Sequence, residues 1–135
     1  MASEAYATLI KGENFDEALC LKRRLLKTYR VIVEDILEEK FAGRLLDTGC
    51  GNNAFVSAAK EIGLEGTGID FDTVNFEKDI FPFSSESFDL VSANALVEHI
   101  LSPAHFFSEV RRVLAKGGLL LLTTPNWELC FKTFY

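Results

Sequence analysis

A glycine turn between two acidic positions is the part of the chain best suited to chemistry. A short apolar run ends on Asp47, and Gly49 and Gly51 follow before a helix-compatible segment, residues 54–62. Glycine has no Cβ, so the chain can turn sharply there and present backbone N–H groups to a ligand. A second apolar run ends on Asp70, where a carboxylate can accept hydrogen bonds from ribose hydroxyls. The spacing predicts a strand, a turn, a helix and a second strand that bind an adenosine-containing cofactor.

The identity of that cofactor depends on Asp47. Gly49, Gly51 and Ala54, with Asp70 roughly 20 residues further on, also satisfy the dinucleotide fingerprint. A carboxylate two residues before the first glycine would lie close to a pyrophosphate, which disfavours nicotinamide and flavin dinucleotides. S-adenosylmethionine has no phosphate and carries an ammonium and a sulfonium, so electrostatics favour this cationic ligand. A turn-capping role for Asp47 is the alternative.

Length and charge narrow the functional classes. The 135 residues suit a single domain, residues 1–135, and the net charge is −6. Residues 44–98 carry 10 acidic and 3 basic side chains, so nucleic acid is disfavoured as a partner. No apolar run approaches the roughly 20 residues of a membrane span. The three cysteines are far apart and lack metal-ligand spacing, which favours a reduced, cytoplasmic protein without a metal site.

The periodicity of the chain places elements around the glycine turn. An amphipathic helical segment occupies residues 1–43, and the cofactor-binding core runs over 44–126. Strands are predicted at 44–48, 66–70, 88–93 and 118–124, and helices at 54–62 and from Ser102-Pro103 to Leu114. Asp89 lies inside an apolar strand, where an unpaired carboxylate is costly, so we expect it to anchor a strand end.

The spacing between Asp70 and Asp79 excludes a regular crossover connection between two parallel strands in this region. Only eight residues intervene, whereas parallel strands need a connection of about a dozen or more. A strand in this region must therefore be reduced to a short edge piece or replaced by an extended loop.

Several further segments follow in an order typical of one family. They are Asp79-Ile80, Phe81-Pro82-Phe83, Ser87-Phe88-Asp89-Leu90-Val91, Val97-Glu98-His99-Ile100, the run from Val110 to Gly118, and Thr124-Pro125-Asn126. With the glycine turn, the chain resembles class I S-adenosylmethionine-dependent methyltransferases, and is most similar to ubiquinone-pathway O-methyltransferases. The resemblance implies an α/β, Rossmann-like three-layer sandwich. Its mostly parallel sheet would have about five strands in the order 3-2-1-4-5, with the third reduced.

The resemblance also implies roles for individual residues. Asp47 contacts the methionine ammonium, and the backbone of Gly49 and Gly51 faces the ligand. Asp70 binds the ribose, with Phe71 next to it in the same cofactor-binding set.

Three further positions belong to the implied cofactor site, and one to catalysis. Asp79 meets the adenine amino group, with Ile80 supplying its backbone N–H, and Asn94 lies where the chain passes the sulfonium. His99 stands at the implied active-site floor, where it serves as general base or only as a structural hydrogen-bonding group. Neither His99 nor His105 has metal-binding partners at suitable spacing.

The family pattern continues past the last predicted strand. Class I methyltransferases have two more strands, so residues 127–135 are expected to begin an incomplete C-terminal part. Trp127, Phe131 and Tyr135 are either the start of an acceptor pocket or packing residues. The apolar edge at 119–124 would then be exposed, and we expect a fragment of a longer protein or a homodimer through that edge.

The implied activity is methyl transfer from S-adenosylmethionine to a small-molecule acceptor, with S-adenosylhomocysteine as product. A non-catalytic S-adenosylmethionine-binding or self-associating module is the main alternative. A nicotinamide-dependent oxidoreductase shares the glycine turn and is the other alternative.

Overall fold

A capped helix precedes the sheet in the computed structural model, which describes residues 14–126. Helix α1 spans Phe15–Val31, and the Oδ1 of its N-cap residue Asn14 accepts a hydrogen bond from the Asp16 N–H at 3.0 Å. A π-helical turn, Ile32–Ile36, continues it. Asparagine at this position satisfies a donor that the first turn leaves free, so the helix begins where the sequence provides a cap.

Four parallel strands form the sheet: β1 Arg44–Thr48, β2 Glu65–Ile69, β3 Phe88–Asn94 and β4 Leu114–Thr123. The spatial order is β2-β1-β3-β4, so β1 pairs with both β2 and β3. Helix α2, Ala54–Glu61, connects β1 to β2, and helix α3, Ala104–Val113, connects β3 to β4. The carboxyl ends of all four strands therefore meet at one edge of the sheet.

Both faces of the sheet are covered, which confirms the three-layer α/β architecture. On one face, α1 and α2 pack against the sheet in a cluster whose members include Leu26, Phe55, Leu45, Leu90 and Leu121. On the other face, α3 and a group of phenylalanines pack against alternate strand positions, including Leu46 and Val91. Alternation along each strand thus divides the apolar residues between two cores.

The reduced third strand is absent from the described residues. The chain from Asp70 to Ser87 consists of turns and irregular backbone, so the sheet has four strands rather than about five. The remaining strands keep the expected order. The extended loop that the short spacing allowed is the arrangement that forms.

The loop over 70–87 is held by a partly buried ion pair from α3. The carboxylate of Glu109 accepts a hydrogen bond from the Phe81 N–H at 2.7 Å and binds the guanidinium of Arg112. Arg112 in turn donates to the carbonyl oxygens of Phe83, at 2.8 Å, and Phe81, at 3.0 Å. Backbone groups that a strand would have satisfied are paired here with charged side chains.

Several boundaries differ from the sequence expectation, most of them by one residue, and two of the differences have a structural reason. The structure begins α3 at Ala104 with Pro103 in the cap position and no side-chain cap, so Ser102 does not cap it. Strand β4 begins at Leu114 rather than 118, because Leu114 pairs with Phe88 and a register shift follows before Leu119 pairs with Leu90. The glycines at 117 and 118 lie in that bulge and do not separate the helix from the strand.

Asp89 anchors β3 to β1, as the sequence predicted. Its Oδ2 accepts hydrogen bonds from the backbone N–H of Arg44 at 2.8 Å and from the Arg44 Nε at 3.1 Å. The guanidinium of Arg44 lowers the pKa of the Asp89 carboxyl. The expectations for Trp127, Phe131 and Tyr135 lie outside the described residues. Over residues 14–126, the helices are too short or too polar for any of them to span a membrane.

Candidate functional site

The glycine turn forms at the carboxyl end of β1. Gly49 and Gly51 have φ values of 76° and 53°, and Asn53, at 63°, also lies in the left-handed region. The N–H groups of Gly49 and Cys50 both donate to the Ile69 carbonyl, at 2.8 and 3.1 Å. Asparagine tolerates left-handed backbone better than most residues, so Asn53 adopts this conformation without being glycine. The turn is tied directly to the end of β2.

Asp70 closes the turn from the neighbouring strand. It follows the last residue of β2 and is half-buried. Its Oδ2 accepts a hydrogen bond from the Gly51 N–H and its Oδ1 accepts one from the Phe71 N–H, each at 2.7 Å. Each carboxylate oxygen has a second lone pair, so further donors such as ribose hydroxyls can still be bound. The structure thus brings Gly51, Asp70 and Phe71 into one hydrogen-bonded unit.

Asp47 is a buried acid that accepts one hydrogen bond from the residues that the structure describes. The residue is 3% exposed, its register partners are Gly68 and Ser92, and the Ser92 hydroxyl donates to its Oδ1 at 2.6 Å. Burial raises the pKa of Asp47 to about 7, while the Ser92 hydroxyl and the charge of Lys22 act in the opposite direction. A buried carboxylate with so little stabilisation favours a cation beside it.

Cys50 packs over the backbone of β2. A Cβ added to Gly68 would lie 2.6 Å from the Cys50 Cβ, so glycine is required where the turn crosses the neighbouring strand. Burial, together with the charges of Asp47 and Asp70, raises the pKa of the Cys50 thiol to about 12. The thiol is therefore protonated at neutral pH and is a packing group rather than a nucleophile.

Asn94, the last residue of β3, belongs to a polar cluster under α1. Its Oδ1 accepts hydrogen bonds from the Tyr29 hydroxyl at 2.5 Å and from the Thr123 hydroxyl at 3.4 Å. Alternation along β3 places Asn94 and Ser92 on the same sheet face, so the cluster lies on the side of Asp47. Asn94 and Asp47 thus share the α1 face of the carboxyl edge.

Two buried amide donors at this edge have no hydrogen-bond partner within residues 14–126. They are the Nδ2 atoms of Asn52, in the glycine turn, and of Asn94, at the end of β3. An unsatisfied buried donor costs about 1–3 kcal/mol, so such atoms point to a missing acceptor. A buried acid and two such donors at the same edge of the sheet suit S-adenosylmethionine, whose amino-acid end carries both an ammonium and a carboxylate.

Asp79 and Ile80 lie in the turns that follow β2. The Asp79 Oδ2 accepts a hydrogen bond from the Asn75 N–H at 2.8 Å, and the Asp79 carbonyl oxygen lies 2.7 Å from the His105 Nε2. Ile80 is 74% exposed. Both residues are accessible, and the hydrogen bonds of Asp79 described above connect it to its own loop and to α3. Their adenine-binding role stays a prediction.

His99 lies in a short 3-10 turn, Val97–His99, after β3. The His99 side chain is exposed, and its Nε2 lies 3.9 Å from the Glu98 Oε1. The side chain of Glu98 is almost buried, and its Oε2 accepts a hydrogen bond from the Thr124 hydroxyl at 3.4 Å. The turn thus presents one histidine and one acid just beyond the carboxyl ends of β3 and β4.

Three residues of the site were not predicted from the sequence: Tyr29, Ser92 and Asn52. Tyr29 belongs to the apolar stripe of α1, which predicts packing alone. Ser92 contacts Asp47 only because β1 and β3 pair in one particular register. Asn52 stands between the turn glycine and Asn53, and its asparagine side chain in a ligand-facing turn was the available signal.

Comparison with known proteins places these features in a family context. A methyltransferase domain family matches residues 21–129. A probable S-adenosylmethionine-dependent methyltransferase of Mycolicibacterium smegmatis is 30% identical over 133 residues, which cover 87% of this chain and 51% of that protein. A ubiquinone biosynthesis O-methyltransferase of Cereibacter sphaeroides is 28% identical over 102 residues, covering 62% of this chain and 41% of that protein. The chain thus spans about half the length, or less, of these curated relatives.

Solved structures share the fold. An S-adenosylmethionine-dependent methyltransferase from Archaeoglobus fulgidus aligns with a TM-score of 0.59 and 22% identity, over 84% of this chain and 59% of that one. A protein from Methanococcus maripaludis, described as a putative methyltransferase of the same kind, aligns with a TM-score of 0.57 and 20% identity, over 89% and 69%. At these identities the likeness concerns the fold.

Proposed function

The chain belongs to the S-adenosylmethionine-dependent methyltransferases, and on that premise we propose that it binds this cofactor at the glycine turn and methylates a small-molecule acceptor. The observation that carries the proposal is the buried Asp47 carboxylate at the carboxyl edge, together with buried amide donors of Asn52 and Asn94 at the same edge that have no partner among residues 14–126. A cationic amino-acid end suits this combination, whereas a pyrophosphate would be repelled by Asp47.

The chain's own residues bind and orient the donor. Asp47 faces the ammonium, and Asp70, already fixed by the Gly51 N–H, accepts the ribose hydroxyls. Phe71 packs edge-on against Phe76 at 5.0 Å between ring centroids, which fixes the wall next to Asp70. When bound, S-adenosylmethionine supplies a methyl group on a positively charged sulfur. Alignment of this group with an acceptor accounts for most of the catalysis.

Adenine recognition and proton removal fall to two other segments. Asp79 and Ile80 contact the adenine, and Asn94 lies beside the sulfur end of the cofactor. His99 acts as general base where the acceptor is a hydroxyl, and its Nε2 lies 3.9 Å from the Glu98 Oε1. The exposure of His99 leaves it accessible to an acceptor from solvent.

The acceptor is proposed as a small molecule on two grounds. A relative 28% identical to this chain is a ubiquinone biosynthesis O-methyltransferase. The acidic surplus over residues 44–98 also disfavours a nucleic-acid acceptor.

We propose that residues 1–135 form one domain, with a cofactor-binding core at 44–126 covered by the helical segment 1–43. The free thiols of Cys20 and Cys50 fit a cytoplasmic protein.

Strand β4 provides a surface for self-association. Within the described residues it pairs with β3 alone, and Leu122 is 37% exposed. An unpaired apolar edge is a template for another strand, so we propose a homodimer through β4. Sedimentation equilibrium distinguishes this dimer from a monomer.

Calorimetric titration with S-adenosylhomocysteine tests the proposed function. The 135-residue chain is expected to bind it at one site, with NADH as a comparison ligand that does not bind. Asp70→Ala should weaken binding by roughly 10- to 100-fold, because a charge-assisted hydrogen bond contributes about 1.5–3 kcal/mol. Asp72→Ala, two residues away on the exposed loop, is the matched control and should bind normally.

Three results would contradict the proposal in different ways. Binding of NADH alone would favour the oxidoreductase alternative. Binding of neither ligand would reject the cofactor site. Saturable S-adenosylhomocysteine binding without methyl transfer to any acceptor would identify a non-catalytic binding module. Thermal unfolding of both aspartate variants checks that each one folds, since Asp70 also holds the turn.

A further inference from the structure

A histidine in the first turn of α3 makes a contact with the loop over 70–87 that is separate from the ion pair described above. The Nε2 of this half-buried residue, His105, lies 2.7 Å from the carbonyl oxygen of Asp79. A carbonyl oxygen can only accept a hydrogen bond, so the Nε2 must carry a proton and donate it. Helix α3 therefore holds one particular peptide group of the loop, the one that joins Asp79 to Ile80.

The loop is also fastened on both sides of this peptide group. Before it, the Glu77 Oε1 accepts hydrogen bonds from the N–H groups of Leu101, at 2.7 Å, and Ser102, at 3.1 Å, just ahead of α3. After it, the Phe81 N–H donates to the Glu109 Oε1 at 2.7 Å. Because the backbone is held at alternate residues, its path along α3 is fixed at these points.

The planarity of the peptide bond converts the histidine contact into a direction for the Ile80 N–H. All peptide bonds among residues 14–126 are trans, and in a trans peptide the C=O and the N–H point in opposite directions. Since the Asp79 carbonyl faces His105, the Ile80 N–H faces away from α3. Within residues 14–126 this N–H makes no hydrogen bond, and Ile80 is largely exposed. The loop therefore presents a free backbone donor on the side opposite α3.

A backbone donor next to a carboxylate matches one edge of adenine. Adenine carries its amino group beside the ring atom N1, so that edge offers one donor and one acceptor. The amino group can donate to the Asp79 carboxylate, and N1 can accept from the Ile80 N–H. A rotated peptide group would instead turn a carbonyl oxygen toward N1, and two acceptors repel each other. The orientation of this peptide group thus decides whether the loop can bind the base.

We propose that His105 is a positioning residue for adenine recognition, because its hydrogen bond to the Asp79 carbonyl directs the Ile80 N–H toward the base. This inference rests on the proposed function, in which Asp79 and Ile80 contact the adenine. It adds a residue of α3 that acts through the backbone of the loop and not by touching the ligand. The preference for a base with an acceptor at N1 then depends on a side chain outside the pocket.

A ligand analogue and two variants test the role of His105. Calorimetry compares S-adenosylhomocysteine with its 1-deaza analogue, in which a C–H group replaces N1. The unmodified chain should bind the analogue roughly 3- to 10-fold more weakly, since one hydrogen bond is lost. His105→Phe keeps a ring without a donor, so it should weaken S-adenosylhomocysteine by a similar factor and bind both ligands almost equally. His105→Gln retains an N–H donor and should recover part of the preference.

Glu77→Gln is the matched control, because Glu77 fastens the same loop without contacting the peptide group of Asp79 and Ile80. It should keep the full preference for S-adenosylhomocysteine over the analogue. If His105→Phe weakens both ligands equally and keeps that preference, His105 serves only the fold and the inference is wrong. Equal binding of both ligands by the unmodified chain would also overturn the inference, while cofactor binding would stand. Failure of S-adenosylhomocysteine to bind would reject the proposed function, and the inference with it.

The protonation of the His105 ring provides a test that needs no variant. At about pH 8 a free imidazole is neutral, and long-range proton–nitrogen NMR spectra distinguish a ring protonated at Nε2 from one protonated at Nδ1. Protonation at Nε2 is expected, whereas a proton on Nδ1 alone would remove the donor and overturn the inference. The Ile80 amide proton should also shift downfield on binding S-adenosylhomocysteine but not its 1-deaza analogue. These measurements decide the matter if His105→Phe does not fold.

Discussion

Two buried carboxylates, Asp47 and Glu109, lie on opposite faces of the same sheet and differ in how they are satisfied. Glu109 is 6% exposed, and the guanidinium of Arg112, with the Phe81 N–H, lowers the pKa of its carboxyl. Asp47 is buried to a similar degree, yet within the described part of the chain its donor is the Ser92 hydroxyl alone, and burial raises its pKa to about 7. Burial alone therefore does not determine the state of an acid; the partners around it do.

The difference indicates that Glu109 serves a structural contact, whereas Asp47 belongs to a site that is suited to bind a ligand. Glu109 and Arg112 pair with each other and with backbone groups of the loop over 70–87. Asp47 has the Ser92 hydroxyl as its hydrogen-bond donor, and the buried Asn94 Nδ2 at the same edge has no acceptor among residues 14–126. The chain tolerates this cost at the one edge where the ends of all four strands meet, which is where parallel α/β folds bind ligands.

The largest expected effect comes from Asp47→Asn. The pKa of Asp47 in the folded protein, about 7, lies above its ordinary value of 3.8. The folded state therefore binds this proton more tightly, and that contribution to stability is complete below about pH 4 and lost as the pH rises through 7. The variant cannot ionise, so its free energy of unfolding should exceed that of the unmodified chain by about 4 kcal/mol at pH 8 and by less than half as much at pH 5.

Urea unfolding at the two pH values measures this difference, and Asp72→Asn is the exposed control with no pH-dependent gain. A gain for Asp47→Asn that is identical at pH 5 and pH 8 would show that Asp47 is not a strained acid, and the comparison with Glu109 would no longer hold.

Arg112→Met tests how much the ion pair with Glu109 contributes to the free energy of unfolding. Without the guanidinium, the buried Glu109 carboxylate and the carbonyl oxygens of Phe81 and Phe83 lose their partner. Removal of one member of a buried pair costs about 3–5 kcal/mol, and the partial exposure of Arg112 predicts a loss of about 3 kcal/mol. Urea unfolding at pH 7 measures it, with Arg111→Met on the exposed side of α3 as control. Equal losses for the two variants would mean that the pair contributes nothing specific.

Ser92→Ala is expected to have the smallest effect. It removes the hydroxyl that donates to the Asp47 carboxylate. A hydrogen bond to a charged group contributes about 1.5–3 kcal/mol, so the loss should approach 2 kcal/mol at pH 8 and fall at pH 5, where Asp47 is protonated. Unfolding midpoints at both pH values check this, and Ser87→Ala, whose hydroxyl bonds to a local carbonyl oxygen, should show no such pH dependence.

Local patterns were sufficient to predict most elements of the fold. The apolar run before Asp47 gave the bounds of β1, and the glycine spacing placed the turn and the start of α2. Those features are encoded by neighbouring residues. The bulge in β4 and the pairing of Arg112 with the loop depend on register and on residues about 30 positions apart, so no local pattern reveals them.

The residues of the candidate site also fall into two groups: those that local spacing predicts and those that depend on contacts between distant parts of the chain. Asp47, Gly51 and Asp70 follow from spacing, and the structure joins the last two directly. Tyr29 could not be assigned from sequence, since its contact with Asn94 bridges 65 positions and looks like helix packing. Residues that meet only across the sheet can be identified only from the folded structure.

The central position of β1 has a consequence for synthesis on the ribosome. Both neighbours of β1 follow it in the chain, and β3 ends only at Asn94. At about 5–20 residues per second, β1 therefore leaves the ribosome several seconds before its second partner exists. During that interval Asp47 is still in water and ionised, while Leu45 and Leu46 are exposed to chaperones. The acid is taken into the core, and its affinity for protons rises, at the moment when β3 arrives.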